Sequence, residues 1–205
     1  MKKIWNHETL VELVGNVVAW SHARNIINGC SSADQFLKLD SEFGELCCAA
    51  YSAASAFNSD EKDAIIHTDL ADGIGDCLVV LINISEQENV PLLDNVGESL
   101  PIDWSVGFGP ILLGASAKGR LADAIKKRNK EDISTYVLSF YSALEAICHL
   151  YNLNIQQCLF CAYNEIKDRK GVMYNGTFVK SDDANYERIC EELGLESKPP
   201  VAAPF

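Results

Sequence analysis

The chain is poor in positive charge. It carries 17 Lys+Arg against 29 Asp+Glu, for a formal net charge of -12. That balance argues against non-specific binding to nucleic-acid phosphates. It leaves room for a small anionic ligand, because a bound cation can bridge acid to phosphate. Long apolar runs are also lacking. The longest, Cys77 to Ile82, is far too short to span a bilayer. The opening Met1-Lys2-Lys3-Ile4-Trp5-Asn6-His7-Glu8 has no apolar core of the kind a secretory leader needs.

Other signatures are missing too. There is no Walker loop and no Gly-x-Gly-x-x-Gly. Neither His67 nor His149 stands three residues after a clustered carboxylate, as a ferritin-like di-iron site requires. His67-Thr68-Asp69 is not the adjacent His-Asp of a phosphohydrolase of the HD type. The 8 Cys make no disulfide framework: one Cys158-x-x-Cys161 pair lies within a helical pattern, without a second pair for zinc. They read as buried thiols in a reducing cytosol.

What is present is helical periodicity in a chain long enough for a substantial core. Apolar spacing predicts helices over 8–28, from Ser31 or Ser32 to about Phe57, and from about Glu61 to Glu88 after an Asn58-Ser59-Asp60 cap. Pro91 closes this half. A Gly- and Pro-rich connector, Leu92 to Pro110, follows; Ile102, Trp104, Val106 and Phe108 make it too apolar for a free linker. Further helices are predicted over 111–129, from about 132 to 151, and over 155–170. Asn175-Gly176 signals a short hairpin between 172 and 179, residues 183–192 a last short helix, and 197–205 a frayed tail. The expected architecture is one all-α domain over 1–205: a helical half 1–91, a second half 110–171, and a hairpin and tail 172–205.

Two acidic clusters stand out. Glu42 and Glu45 fall about 60° apart on one helix face, and Asp69, Asp72, Asp76 and Asn83 share a similar arc on the next helix. Five carboxylates and an amide on neighbouring helices repel unless a cation compensates, and oxygen-only ligands suit a hard ion such as Mg2+. A solvated acidic face is the plainer alternative. Lys167, Arg169 and Lys170 could supply phosphate-binding cations, or simply favourable charge at a helix C-terminus. Lys38 lies one turn before Glu42, close to its face. Trp20 with Arg24 fits either a core or a base-stacking position.

There is also an internal echo. Gly44-Glu45-Leu46-Cys47-Cys48-Ala49-Ala50 can be laid on Gly119-Arg120-Leu121-Ala122-Asp123-Ala124-Ile125. In that register the second copy has lost the acids, and the chain would be a pseudo-dimer. Two helix pairs alike only in pattern are the alternative.

Gln35-Phe36-Leu37-Lys38-Leu39, Glu42-x-x-Glu45-Leu46 and Asp72-Gly73-Ile74-Gly75-Asp76 with Asn83 resemble the MazG-like nucleotide pyrophosphohydrolases. These belong to the all-α NTP pyrophosphatases, which include dimeric dUTPases. The stretch Ala162 to Gly171 resembles MazG-like proteins carried by bacteriophages, and Trp20-x-x-x-Arg24-Asn25 fits as well. The resemblance implies a helical bundle that hydrolyses a nucleoside triphosphate to monophosphate and pyrophosphate with Mg2+, Mn2+ being a substitute. It implies Glu42, Glu45 and Asp76 as metal ligands, with Glu42 or Glu45 accepting a proton from water. The pattern's third glutamate falls at Gly73, so Asp72, or else Asp69, takes that place. Lys38, Trp20, Asn83, Asn164, Lys167, Arg169 and Lys170 are the implied substrate contacts. A cytoplasmic location follows, the host's if the chain is phage-encoded. A homodimer, a larger oligomer or a monomeric pseudo-dimer would each fit. A nucleotide-binding or sensing protein with weak catalysis is the alternative, and a helical interaction protein with a solvated acidic surface is a third.

Overall fold

The structure is a computed structural model that describes residues 7–90, 92–93 and 109–195. The predicted tail and most of the predicted connector lie outside those residues. The described chain is mostly helical. In order it forms α1 (His7–Ala23), α2 (Ile26–Gly29), α3 (Ser32–Ser55), α4 (Ser59–Ile65), a π-helical turn (Ile66–Leu70) and α5 (Ala71–Glu88). Then come α6 (Gly109–Lys127), α7 (Lys130–Leu150), α8 (Ile155–Ile166), strands β1 (Gly171–Tyr174) and β2 (Thr177–Lys180), and α9 (Tyr186–Leu193).

Helix α5 is the centre. It packs on α1, α3, α7 and α8, and buries Ile74, Leu78, Leu81 and Ile82 almost completely. Two glycines allow this. A methyl at Gly73 would lie 3.1 Å from Cα of Leu46 on α3, and one at Gly75 would lie 2.5 Å from the Cys158 carbonyl oxygen on α8. Helix backbones therefore approach α5 closely on both sides. The echoed segments fall in α3 and α6, which pack on α5 and α7 respectively.

Local chemistry explains most boundaries. Ser31 is the N-cap of α3: its hydroxyl accepts from the Asp34 N–H (3.2 Å), while Asp34 accepts from the Ser31 N–H (2.8 Å). Asn58 caps α4 by accepting from the Glu61 N–H at 2.8 Å. At the hairpin tip Asn175 and Gly176 both have positive φ (48° and 79°), as a type I′ turn requires, with Tyr174 opposite Thr177.

Three boundaries differ from the periodicity. The helix predicted over 8–28 breaks after Ala23, where Asn25 turns left-handed (φ 55°). The helix predicted to Lys170 ends at Ile166. One interaction explains both. The Arg24 guanidinium donates to the carbonyls of Arg169 (2.8 Å) and Lys167 (2.9 Å), and Asn25 Nδ2 donates to the Met173 carbonyl (2.9 Å). These long-range bonds outweigh continued helix at both places. The third difference is the π turn at Ile66–Leu70, which interrupts the predicted 61–88 helix and carries Asp69, the first residue of its acidic face.

Candidate functional site

Two spaces meet along α3 and α5. One is a cavity of about 400 Å³ between α1, α3, α5, the end of α8 and the hairpin. Its walls include Trp20, Gln35, Val80, Asn83, Met173 and Phe178. The other is a groove of about 600 Å³ lined by Glu42, Glu45, Asp69, Asp72 and Asp76. Glu42 and Asp76 belong to both.

The groove's electrostatics follow from crowding. Glu42 is only 4% exposed and is ion-paired with Lys38, one turn earlier on α3. Asp76 is half-buried. Burial, reinforced by the charges of Asp72 and Glu42, pushes its carboxyl up to about 6, although Lys38 and Arg169 pull the other way. Asp72 is also raised, first by burial and then by Glu165, Glu42, Glu45 and Asp69. These groups therefore form one interacting set. Among the described residues no three His, Cys, Asp or Glu side chains are gathered as a metal-holding group. Gly73 also lines the groove, and it packs against α3, where an added methyl would lie 3.1 Å from Leu46.

The cavity's polar wall is a directed chain of hydrogen bonds. Ser21 Oγ donates to Asn83 Oδ1 (2.6 Å), Asn83 Nδ2 to Gln35 Oε1 (3.1 Å), and Gln35 Nε2 to Cys30 Sγ (3.2 Å). The Cys30 thiol donates in turn to the Ile26 carbonyl (3.2 Å). Trp20 is 8% exposed. The Arg24 guanidinium lies 4.8 Å from its ring centre, and its Nε1 has no hydrogen-bond partner among the described residues.

The structure thus brings together Glu42, Glu45, Asp69, Asp72 and Asp76 at the groove, and Lys38, Trp20, Asn83 and Arg169 at the cavity. Asn164, Lys167 and Lys170 line neither space. Lys167 Nζ instead donates to Asn164 Oδ1 at 2.8 Å. Periodicity alone missed Ser21, Gln35 and Glu165. Gln35 shares the buried stripe of Leu39 and Phe43, and a polar residue on an apolar stripe was the available signal. Met173 and Phe178 come from the distant hairpin and carried none. Not every cysteine is buried: all are free thiols, and Cys48 and Cys161 are exposed.

No family model matches the chain. The chain is 33% identical over 81 residues to an uncharacterized 18.2 kDa protein in the rep-hol intergenic region of Haemophilus phage HP1 (strain HP1c1). That match covers 40% of this chain and 42% of the phage protein, so the chain spans less than half the length of its relative. No solved structure matches significantly. No helix among the described residues is long and apolar enough to cross a membrane.

Proposed function

We propose that the protein is a nucleoside triphosphate pyrophosphohydrolase of the MazG-like kind, using Mg2+, with Mn2+ as a substitute. The observation that carries this is the shared wall of Glu42 and Asp76. It sets a chamber of nucleoside size directly against a carboxylate groove. The strained ionisation of Asp72 and Asp76 suits a group that a cation completes.

Glu42, Glu45, Asp72 and Asp76 would hold the metal. When bound, Mg2+ supplies charge neutralisation on the triphosphate and an acidified water. The chain's own residues do the rest. Trp20 and Asn83 shape the nucleoside chamber. Lys38 and Arg169, at the chamber's wall, meet the phosphates. Glu45 or Glu42 accepts the proton of the attacking water. Lys38, ion-paired with Glu42, holds its carboxylate in place until substrate arrives.

A second reading is a nucleotide-binding protein without turnover. The close packing of Gly73 on Leu46 and the lack of a gathered metal-holding group among the described residues favour it. Pyrophosphate release with Mg2+ supports the enzyme. Nucleotide-induced thermal stabilisation without release supports the binding protein.

A further inference from the structure

The β-hairpin has two unlike faces. Val172 lies opposite Val179 in the ladder, and Met173 opposite Phe178. Neighbouring residues of a strand point to opposite sides. Val172, Tyr174 and Val179 pack with Tyr186, Ile189 and Cys190 of α9. Met173 belongs to the main core, Phe178 packs against that core, and both line the cavity. Three hydrogen bonds fix the hairpin there. The Met173 N–H donates to the Arg24 carbonyl (2.8 Å), Asn25 Nδ2 to the Met173 carbonyl (2.9 Å), and the Gly176 N–H to the Gly29 carbonyl (2.9 Å). The tip stands beside Asp34: a methyl at Gly176 would lie 3.9 Å from that carboxyl. Along α3, Asp34 is about two turns, or about 12 Å, from Glu42.

Two aromatic side chains line the cavity among the described residues, and they differ. Trp20 is 8% exposed, and the Arg24 guanidinium lies over its ring, 4.8 Å from the ring centre. Phe178 is half-buried. Its ring rests on Gly171, where an added methyl would lie 2.6 Å from Cζ. Phe178 therefore keeps more surface for a ligand than Trp20 does. We propose that Phe178 is the base-stacking residue of the site, with Met173 beside it and α9 backing the hairpin that carries both. This rests on the nucleotide reading above and names the part of the site that holds the base. The triphosphate lies toward Glu42 and Asp76, and the base lies on the Phe178 ring. Every base has a π-face, so this platform adds affinity without choosing among bases. It favours nucleotides as a class over bare polyphosphate.

The test is calorimetric binding, with Mg2+, of inorganic tripolyphosphate and of the α,β-imido analogues of dTTP, dGTP, dATP and dCTP. The full chain is compared with Phe178→Ala and Phe178→Tyr. Phe178→Ala should weaken all four nucleotide analogues at least about fivefold, the low end for a base stacked on an aromatic ring. It should leave tripolyphosphate binding unchanged, and Phe178→Tyr, which keeps the ring, should bind nucleotides like wild type. Should Phe178→Ala fail to fold, wild type is measured with the 5,6-dihydrothymidine analogue. That base keeps the carbonyls and N–H of thymine and loses its flat aromatic ring, so binding should fall severalfold. Nucleotide binding unchanged in Phe178→Ala, or unchanged for the dihydro analogue, overturns the platform and leaves the triphosphate reading standing. So does an equal loss of tripolyphosphate and nucleotide, which marks Phe178 as scaffold. Binding of no nucleotide by wild type overturns both.

Discussion

The Arg24 guanidinium donates to the Arg169 carbonyl at 2.8 Å, joining residues 145 positions apart in the chain. Its other arm reaches the Lys167 carbonyl at 2.9 Å, and its Cζ lies over the Trp20 ring, 4.8 Å from the ring centre. One buried side chain thus ends α8, breaks α1 and holds Arg169 at the cavity.

Arg24→Lys should therefore be far from conservative. A lysine cannot reproduce the fork. Loss of about 1.5–3 kcal/mol of stability is expected, the range for hydrogen bonds to a charged group. Denaturant melts would measure it. An unchanged midpoint would show that these contacts carry no weight.

The packing of α5 gives a second prediction. Gly75→Ala places a methyl 2.5 Å from the Cys158 carbonyl oxygen, a backbone atom that cannot swing aside. Overpacking of about 1–3 kcal/mol should outweigh the helix-propensity gain of about 1 kcal/mol. Gly119→Ala is the control. Nothing lies within 4 Å of its added methyl, so thermal melts should show a slight gain.

Some of this was legible in the sequence and some was not. The caps at Ser31 and Asn58 and the turn at Asn175-Gly176 are local chemistry, and each forms where the sequence predicts. The shared acidic face of Glu42, Asp72 and Asp76 followed from helical spacing. The break at Arg24 did not, because its cause lies at residues 167 to 173. Periodicity did not reveal that Gln35 and Ser21 orient Asn83, nor that Lys167 bonds Asn164 rather than lining the cavity. Local pattern locates a face. It does not choose among hydrogen-bond partners brought together by tertiary packing.

The Asp76 carboxyl predicts a pH dependence. Its folded value, about 6, lies above the ordinary 3.8. Between those values the folded state binds the extra proton. The stabilising contribution is full below about 3.8 and is lost as pH rises through about 6. At pH 8 Asp76→Asn should gain about 1–2 kcal/mol, discounted for solvent screening of a half-exposed group. At pH 3.5 the difference should vanish. Melts across that range, with and without Mg2+, check it; the cation should shrink the gain.

Lys38→Gln strips the ion-pair partner from a Glu42 that is 4% exposed. Because Lys38 is itself largely exposed, a loss of only about 1 kcal/mol is expected. The sharper readout is the metal. Mg2+ should raise the melting temperature of Lys38→Gln more than that of wild type, since it then meets a carboxylate without a resident cation. Equal shifts would separate Lys38 from the metal site.

The most direct measurement is pyrophosphate release from a panel of nucleoside triphosphates with Mg2+, using wild type beside Glu45→Gln and Asp72→Asn. The account predicts metal-dependent turnover in wild type and its loss in both variants. No turnover by folded wild type on any nucleotide would contradict it.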